Sequence, residues 1–274
     1  MELYLISRLL CFCIITVLIV TALVFMKKQN HAASALCFGL AVVLPLLLLS
    51  FQPRVRPMPL TPAETLPPET EASQQPMPEI GHFVPFGSYP HARDAEPTPI
   101  SWRVLDKKDD QLLVMSFYPL ERRRYKEDRK DCTWETSDIR AWLNSEFLNS
   151  AFTPEEQERI VSTTLSTEAN PTYGIPSGLD TTDRVFLLSY EEAERLLPTD
   201  EERRCRPTDY ATEHDAFVNE NGNTWWILRT VGENAHSVTY VNSDGSLNPE
   251  GCIVCSDGGT IRPAMWITWN QEQP

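Results

Sequence analysis

Pro99-Ile100-Ser101-Trp102-Arg103-Val104-Leu105 alternates apolar and polar side chains, with Ile100, Trp102 and Val104 on one face. That period of two is the signature of a half-buried strand. The polar Lys107-Lys108-Asp109-Asp110 then leads into a second apolar run, Leu112 to Phe117, and the strand-turn-strand order predicts a hairpin.

Downstream the period changes. After Ser137, a suitable N-cap, Ile139, Trp142, Leu143 and Phe147 recur at the spacing of one buried helical face. Thr153-Pro154-Glu155-Glu156 joins a capping-box pattern to Pro at the first helical position, so a short second helix is expected. Asn170 to Thr182 holds two prolines and two glycines and reads as loop. Arg184 to Leu188 reads as a buried strand, and Ser189 to Glu192 repeats the capping box, opening a helix that Pro198 ends. From Thr224 to Thr268 short apolar runs alternate with Gly, Asn, Asp and Pro, as an irregular antiparallel sheet requires. The expected fold class is α+β.

The residues before this domain are different in kind. Leu9–Met26 and Ala32–Phe51 contain no charged residue and are separated by Lys27-Lys28-Gln29-Asn30-His31. Each is close to the roughly 20 apolar residues that cross a bilayer. A cleaved signal peptide would carry its positive charge ahead of the apolar core, whereas here Lys27 and Lys28 follow it, so residues 1–51 read as two retained transmembrane helices. Pro45 is tolerable there as a kink, and no ionisable residue inside either run marks a transport pathway. Arg8, Arg54 and Arg56 against Lys27 and Lys28 leave the orientation open. Residues 52–79 carry eight prolines and neither glycine nor aromatic, the composition of a disordered stalk. Fully extended as polyproline II it would reach about 90 Å.

The 80–274 region holds all seven tryptophans, and because the first 79 residues contain five basic and five acidic residues, it carries the whole net charge of −14. That sign excludes a phosphate-neutralising nucleic-acid binder. Its length suffices for one substantial core.

Seven stretches in order resemble the bacterial domain-of-unknown-function 6273 family, common in membrane-tethered or secreted proteins. They are Phe86-Gly87-Ser88-Tyr89-Pro90, Ile100 to Leu105, Trp134-Glu135-Thr136 through Arg140-Ala141-Trp142-Leu143-Asn144, Asp183 to Ser189, Trp225-Trp226-Ile227-Leu228-Arg229, Asp244-Gly245-Ser246 and Arg262-Pro263-Ala264-Met265-Trp266-Ile267. Against the family's usual Trp-Trp-Leu-Arg-Ser-Pro-Gly, this chain inserts Ile227 and continues Thr230-Val231-Gly232. The closing pattern is similar to the end of C-type-lectin-like domains, including relatives of the formylglycine-generating enzyme, which implies a mixed lectin-like domain. Fold analogy supplies no function. The Glu-Pro-Asn, Gln-Pro-Asp and Trp-Asn-Asp triplets of calcium-dependent sugar binders do not occur, so no calcium site carries over.

Several residues invite chemistry. Cys252-Ile253-Val254-Cys255, with Cys132 and Cys205, allows disulfides or inert thiols, redox or copper chemistry of the kind the enzyme relatives imply, or a zinc site, for which one CxxC is weak support. Arg229, Asp244 and Arg262 are the ligand-binding candidates, the two guanidinia suited to a ligand carboxylate, or else Arg229 and Arg262 simply pair with Asp244 or Asp257. Asp244 lies in Asn242-Ser243-Asp244-Gly245-Ser246, a hairpin turn with Gly at positive φ rather than a calcium loop. His82, His91, His214 and His236 lack metal-ligand spacing, and the basic run from Arg122 to Lys130 reads as a solvated loop, with anionic lipid or polymer contact the lesser reading. No metal, cofactor or catalytic residue is assigned.

The expected function is a membrane-anchored ligand-binding or sensing module. Its expected partners are the lipid bilayer and an unknown ligand or envelope component, with the domain outside the cytoplasm. The alternatives are an oxidoreductase or modifying enzyme using Cys252 and Cys255, and a non-catalytic envelope protein.

Overall fold

The computed structural model describes residues 76–269. The expected transmembrane hairpin and nearly all of the expected stalk lie outside the described residues. Among those described, no helix is long and apolar enough to cross a membrane.

The hairpin at 99–117 forms as its alternation requires. Strands β1 (Phe83–Tyr89), β2 (Thr98–Lys108), β3 (Gln111–Ser116) and the last strand, β11 (Ala264–Thr268), make one antiparallel sheet in the order β1-β2-β3-β11. Ile100, Trp102 and Val104 all point into the core. Buried Trp102 keeps its polar edge satisfied by donating to the Phe86 carbonyl (2.6 Å). At Gly87 the backbone has a φ of 62°, and a Cβ there would stand 2.5 Å from the Ala151 carbonyl and the Phe152 ring. Only glycine fits that bulge between β1 and the helices.

Those helices follow the predicted caps. Ser137 accepts the Arg140 N–H ahead of α1 (Asp138–Trp142), a π-helical turn follows over Leu143–Phe147, and α2 (Leu148–Ala151) completes the run. Ile139, Trp142, Leu143 and Phe147 are all buried. Thr153 and Glu156 form the capping box of α3 (Pro154–Arg159), and Ser189 and Glu192 that of α4 (Tyr190–Leu196). Two shorter helices, α5 (Asp200–Arg203) and α6 (Asp209–Glu213), precede the second half.

Two expectations need correction. Val185 to Leu188 is buried as predicted, but it is not a strand: among the described residues one bridge, Phe186 to Ala264, is its only ladder contact. The expected 170–182 loop ends in β6 (Thr181–Asp183), which pairs with β5 (Thr163–Leu165).

The second sheet collects β4 (Glu121–Arg122), β7 (Trp226–Val231), β8 (Ser237–Val241), β9 (Leu247–Ile253) and β10 (Thr260–Ile261) in the order β4-β10-β7-β8-β9. It is antiparallel except where β10 lies parallel to β7. The β7–β8 register shifts between Ile227 and Val231, which is where the chain carries its extra residue relative to the family pattern. Thus the fold is mixed α+β, with antiparallel sheets and short helices. Met77 packs against the core and Glu79 pairs with Lys107 at 2.7 Å, so the packed unit reaches back at least to Met77.

Candidate functional site

A polar cleft lies between the α5–α6 segment and the β8–β9 turn. It consists of two adjoining hollows that share Arg204, Arg206 and Asn223. The larger, about 620 Å³, is completed by Asn219, Asn221, Ser243 and Asp244. The smaller, about 330 Å³, is completed by Phe117, Tyr118, Glu201 and Cys205. Volumes of this order suit a small ligand.

The walls are built from loops pinned to strands. Asn242-Ser243-Asp244-Gly245-Ser246 is a hairpin turn as the sequence indicates, closed by the Asp244 carboxylate accepting the Ser246 N–H (2.9 Å) and hydroxyl (2.7 Å). Those hydrogen bonds hold the Asp244 carboxyl below its usual range. Gly245 has a φ of 95° and packs so closely on α5 that a Cβ would stand 1.8 Å from the Asp200 carbonyl. Buried Arg203 donates to the Gly245 carbonyl at 2.8 Å, and its own carbonyl accepts the Trp226 indole N–H at 3.0 Å. The turn is therefore clamped to the core.

The lining groups retain unused capacity. Arg204 Nε donates to the Asp244 carbonyl at 3.3 Å and Arg206 Nη2 to the Asn221 carbonyl at 3.4 Å. Among the described residues neither guanidinium meets a carboxylate. Asn219 Oδ1 accepts the backbone N–H groups of Asn221 (3.0 Å) and Asn223 (2.9 Å), which orders the loop. Its amide nitrogen, and the carboxamides of Asn221 and Asn223, make no hydrogen bond within the described residues. Phe117 and Tyr118 pack edge to face with centroids 4.7 Å apart, and each is more than a third exposed.

Of the three residues expected to grip a ligand, only Asp244 lines this cleft. Arg229 sits on the floor of a separate acidic hollow with Glu168, Glu191 and Glu194 at its rim. Its guanidinium grips both oxygens of Glu192, at 2.9 Å to Oε1, and donates to the Leu187 carbonyl at 3.0 Å. Burial pushes the Glu192 carboxyl up, but the Arg229 hydrogen bonds and charge outweigh it and hold the group below its ordinary value. The pairing expected with Asp244 or Asp257 is corrected: Glu192 takes Arg229, while Asp257 takes Arg124 at 2.9 Å. Glu192 had shown itself in the sequence only as a cap residue.

Arg262 is fully buried behind the smaller hollow. It donates to the Ser116 and Phe117 carbonyls, both at 3.1 Å, and lies 5.0 Å from the Trp226 ring centroid. It meets no carboxylate among the described residues, and burial lowers its pKa.

All four cysteines of the domain are free thiols in this structure. Burial pushes the Cys205 and Cys252 thiols up to about 11 and raises that of Cys132. Among the described residues no group of three or more His, Cys, Asp or Glu side chains is placed to hold a metal ion. The basic run is largely paired, Arg123 with Glu121, Arg124 with Asp257 and Lys126 with Asp138.

The motif residues meet one another as scaffold. Buried Asp183 accepts Trp134 Nε1 (2.9 Å), Arg140 Nε (2.7 Å) and the Thr181 hydroxyl (2.7 Å). Asn144 accepts the Arg184 N–H (2.9 Å) and donates to the Val185 carbonyl (2.8 Å). Arg204, Arg206 and the three asparagines lie outside every motif quoted above, so pattern reading passed over them. The available signal was an Asn219-Glu220-Asn221-Gly222-Asn223 loop, too polar to be core.

No curated protein and no solved structure matches the chain significantly. The family model described as "Domain of unknown function (DUF6273)" matches residues 109–269, from the β2–β3 turn to the end of the last strand. The stretches at 86–90 and 100–105 fall outside it. The match covers more than half of the chain, and the chain belongs to this family.

Proposed function

We propose that the chain is a membrane-anchored binding module. In this reading residues 1–51 form a transmembrane hairpin, the proline-rich residues from 52 up to the packed unit that begins by Met77 form a stalk, and the rest is a C-type-lectin-like domain held outside the cytoplasm. What supports the anchor is composition: two uncharged runs of bilayer length followed by a segment that cannot bury a core. The observation that carries the binding role is the cleft between Arg204, Arg206 and Asp244, where two guanidinia and three carboxamides have donors to spare. Polar groups fixed by a rigid scaffold and left without protein partners are suited to hold a ligand.

The thiol-enzyme alternative draws no comparable support. A thiol at about 11, as at Cys252, is protonated at neutral pH and a poor nucleophile.

The test is a thermal-shift screen of the full chain in zwitterionic detergent against separate sugar, peptide, nucleotide and organic-acid panels. The reading expects stabilisation by one panel that is lost in Arg204→Gln/Arg206→Gln. Oxygen-consuming dithiol oxidation abolished by Cys252→Ser would replace it with the enzyme reading. A domain that responds to none of the panels would favour the structural alternative.

A further inference from the structure

We propose that the Arg204–Asp244 cleft takes an uncharged saccharide, a ligand class that rests on the binding-module reading and narrows it. Three features converge. The first is the geometry of the polar groups: guanidinium and carboxamide groups are planar forks, and a fork matches two adjacent ring hydroxyls with a pair of parallel hydrogen bonds, while the Asp244 carboxylate has Oδ2 left to accept another. The cleft has Arg204, Arg206, Asn221, Asn223 and Asp244 in one surface, and the two carboxamides named are unengaged.

The second feature is the apolar end. Phe117 and Tyr118 line the smaller hollow, and Phe83 continues the aromatic surface beyond it, its centroid 4.8 Å from that of Phe117. Phe83 is 51% exposed, Phe117 38% and Tyr118 39%. Exposed aromatic side chains beside hydrogen-bonding groups offer one surface to ring C–H faces and another to hydroxyls.

The third feature decides charge. The two arginines are balanced by Glu201 and Asp244 in the same walls, so the lining carries no formal net charge. Around it the domain is strongly acidic, with the net −14 of the chain. An anionic ligand would meet an unfavourable long-range field with no local excess of positive charge to offset it. An uncharged polyhydroxylated ligand pays no such penalty.

The experiment is calorimetric titration of the full chain, in a zwitterionic detergent without a sugar headgroup, with maltotriose, the N-acetylglucosamine trimer, trigalacturonate and the peptide acetyl-Lys-Ala-Ala. Saturable binding of a neutral trisaccharide is expected, weakened about tenfold or more in Tyr118→Ala and in Asn221→Ala/Asn223→Ala, with unfolding temperatures unchanged. Trigalacturonate should bind more weakly than the better neutral sugar. Preference for trigalacturonate would overturn the uncharged assignment. Binding of the peptide alone would overturn the saccharide class while leaving the binding-module reading intact. Silence from all four probes, in a chain that responds to another panel of the thermal-shift screen, would overturn the inference alone, and silence in both experiments would overturn the two together.

Discussion

Arg203 and Gly245 are joined by a 2.8 Å hydrogen bond from the buried guanidinium to the carbonyl at the tip of the β8–β9 turn. Through it the short helix α5 holds one wall of the cleft, and the next residue, Arg204, is turned outward to form part of the other. The same clamp ties the turn to the core, because the Arg203 carbonyl accepts the indole N–H of buried Trp226.

Gly245→Ala tests the clamp. The new Cβ would need a positive φ and the space of the Asp200 carbonyl, so a destabilisation of about 2 kcal/mol or more is expected in chemical unfolding. A variant as stable as the parent would mean the turn is not seated on α5.

Glu192→Gln tests the buried ion pair. Glutamine keeps an acceptor for the capping box, so the expected loss of about 3 kcal/mol reports on Arg229 left without its charge partner. The sign with pH follows from the lowered Glu192 pKa. The pair stabilises fully above the unfolded carboxyl value of about 4.3, and its contribution is lost as pH falls through the lower folded value. The stabilities of parent and variant should therefore begin to approach one another below about pH 4.3 and meet only below the lowered folded value of Glu192.

Asp183→Ala removes one acceptor from three donors at once, on Trp134, Arg140 and Thr181. A loss of about 3–5 kcal/mol is expected from equilibrium denaturation, since the cost includes an uncompensated guanidinium beside a buried indole. A loss below about 1 kcal/mol would show that the hub contributes no more than an exposed ion pair.

Trp142→Ala probes the helical face read from spacing alone. Trp142 packs on Phe147 at 5.2 Å between centroids and is covered by the Arg123 guanidinium at 4.1 Å. A cost of about 3–5 kcal/mol is expected. Arg123→Ala alone should cost less, about 1 kcal/mol, as the cation–π contact is lost, and that cost should vanish in the Trp142→Ala background.

The hairpin, the three predicted helix starts and the 242–246 turn were legible because each depends on local rules: alternation, capping side chains, and a glycine at positive φ. Arg184 to Leu188 misled for a physical reason. A short apolar run looks the same whether it pairs as a strand or is buried as irregular chain, and here Asn144 and Arg229 supply partners that a ladder would otherwise provide. The cleft was the least legible part. Its asparagines and arginines are ordinary loop residues by type, and only the fold brings Arg204 and Arg206 against Ser243 and Asp244. The aromatic signal also pointed elsewhere, because the tryptophans are mostly core while the exposed rings, Phe83, Phe117 and Tyr118 among them, carry no motif.

The central claim, that the Arg204–Asp244 cleft is the ligand site, is tested most directly by hydrogen–deuterium exchange of the full chain with and without the best-binding compound of the thermal-shift screen. The account predicts protection concentrated at Phe117–Tyr118, residues 204–206, Asn219–Asn223 and Ser243–Asp244. Protection centred instead on Glu168, Glu191 and Arg229, or on Cys252–Cys255, with the cleft segments unchanged, would contradict it.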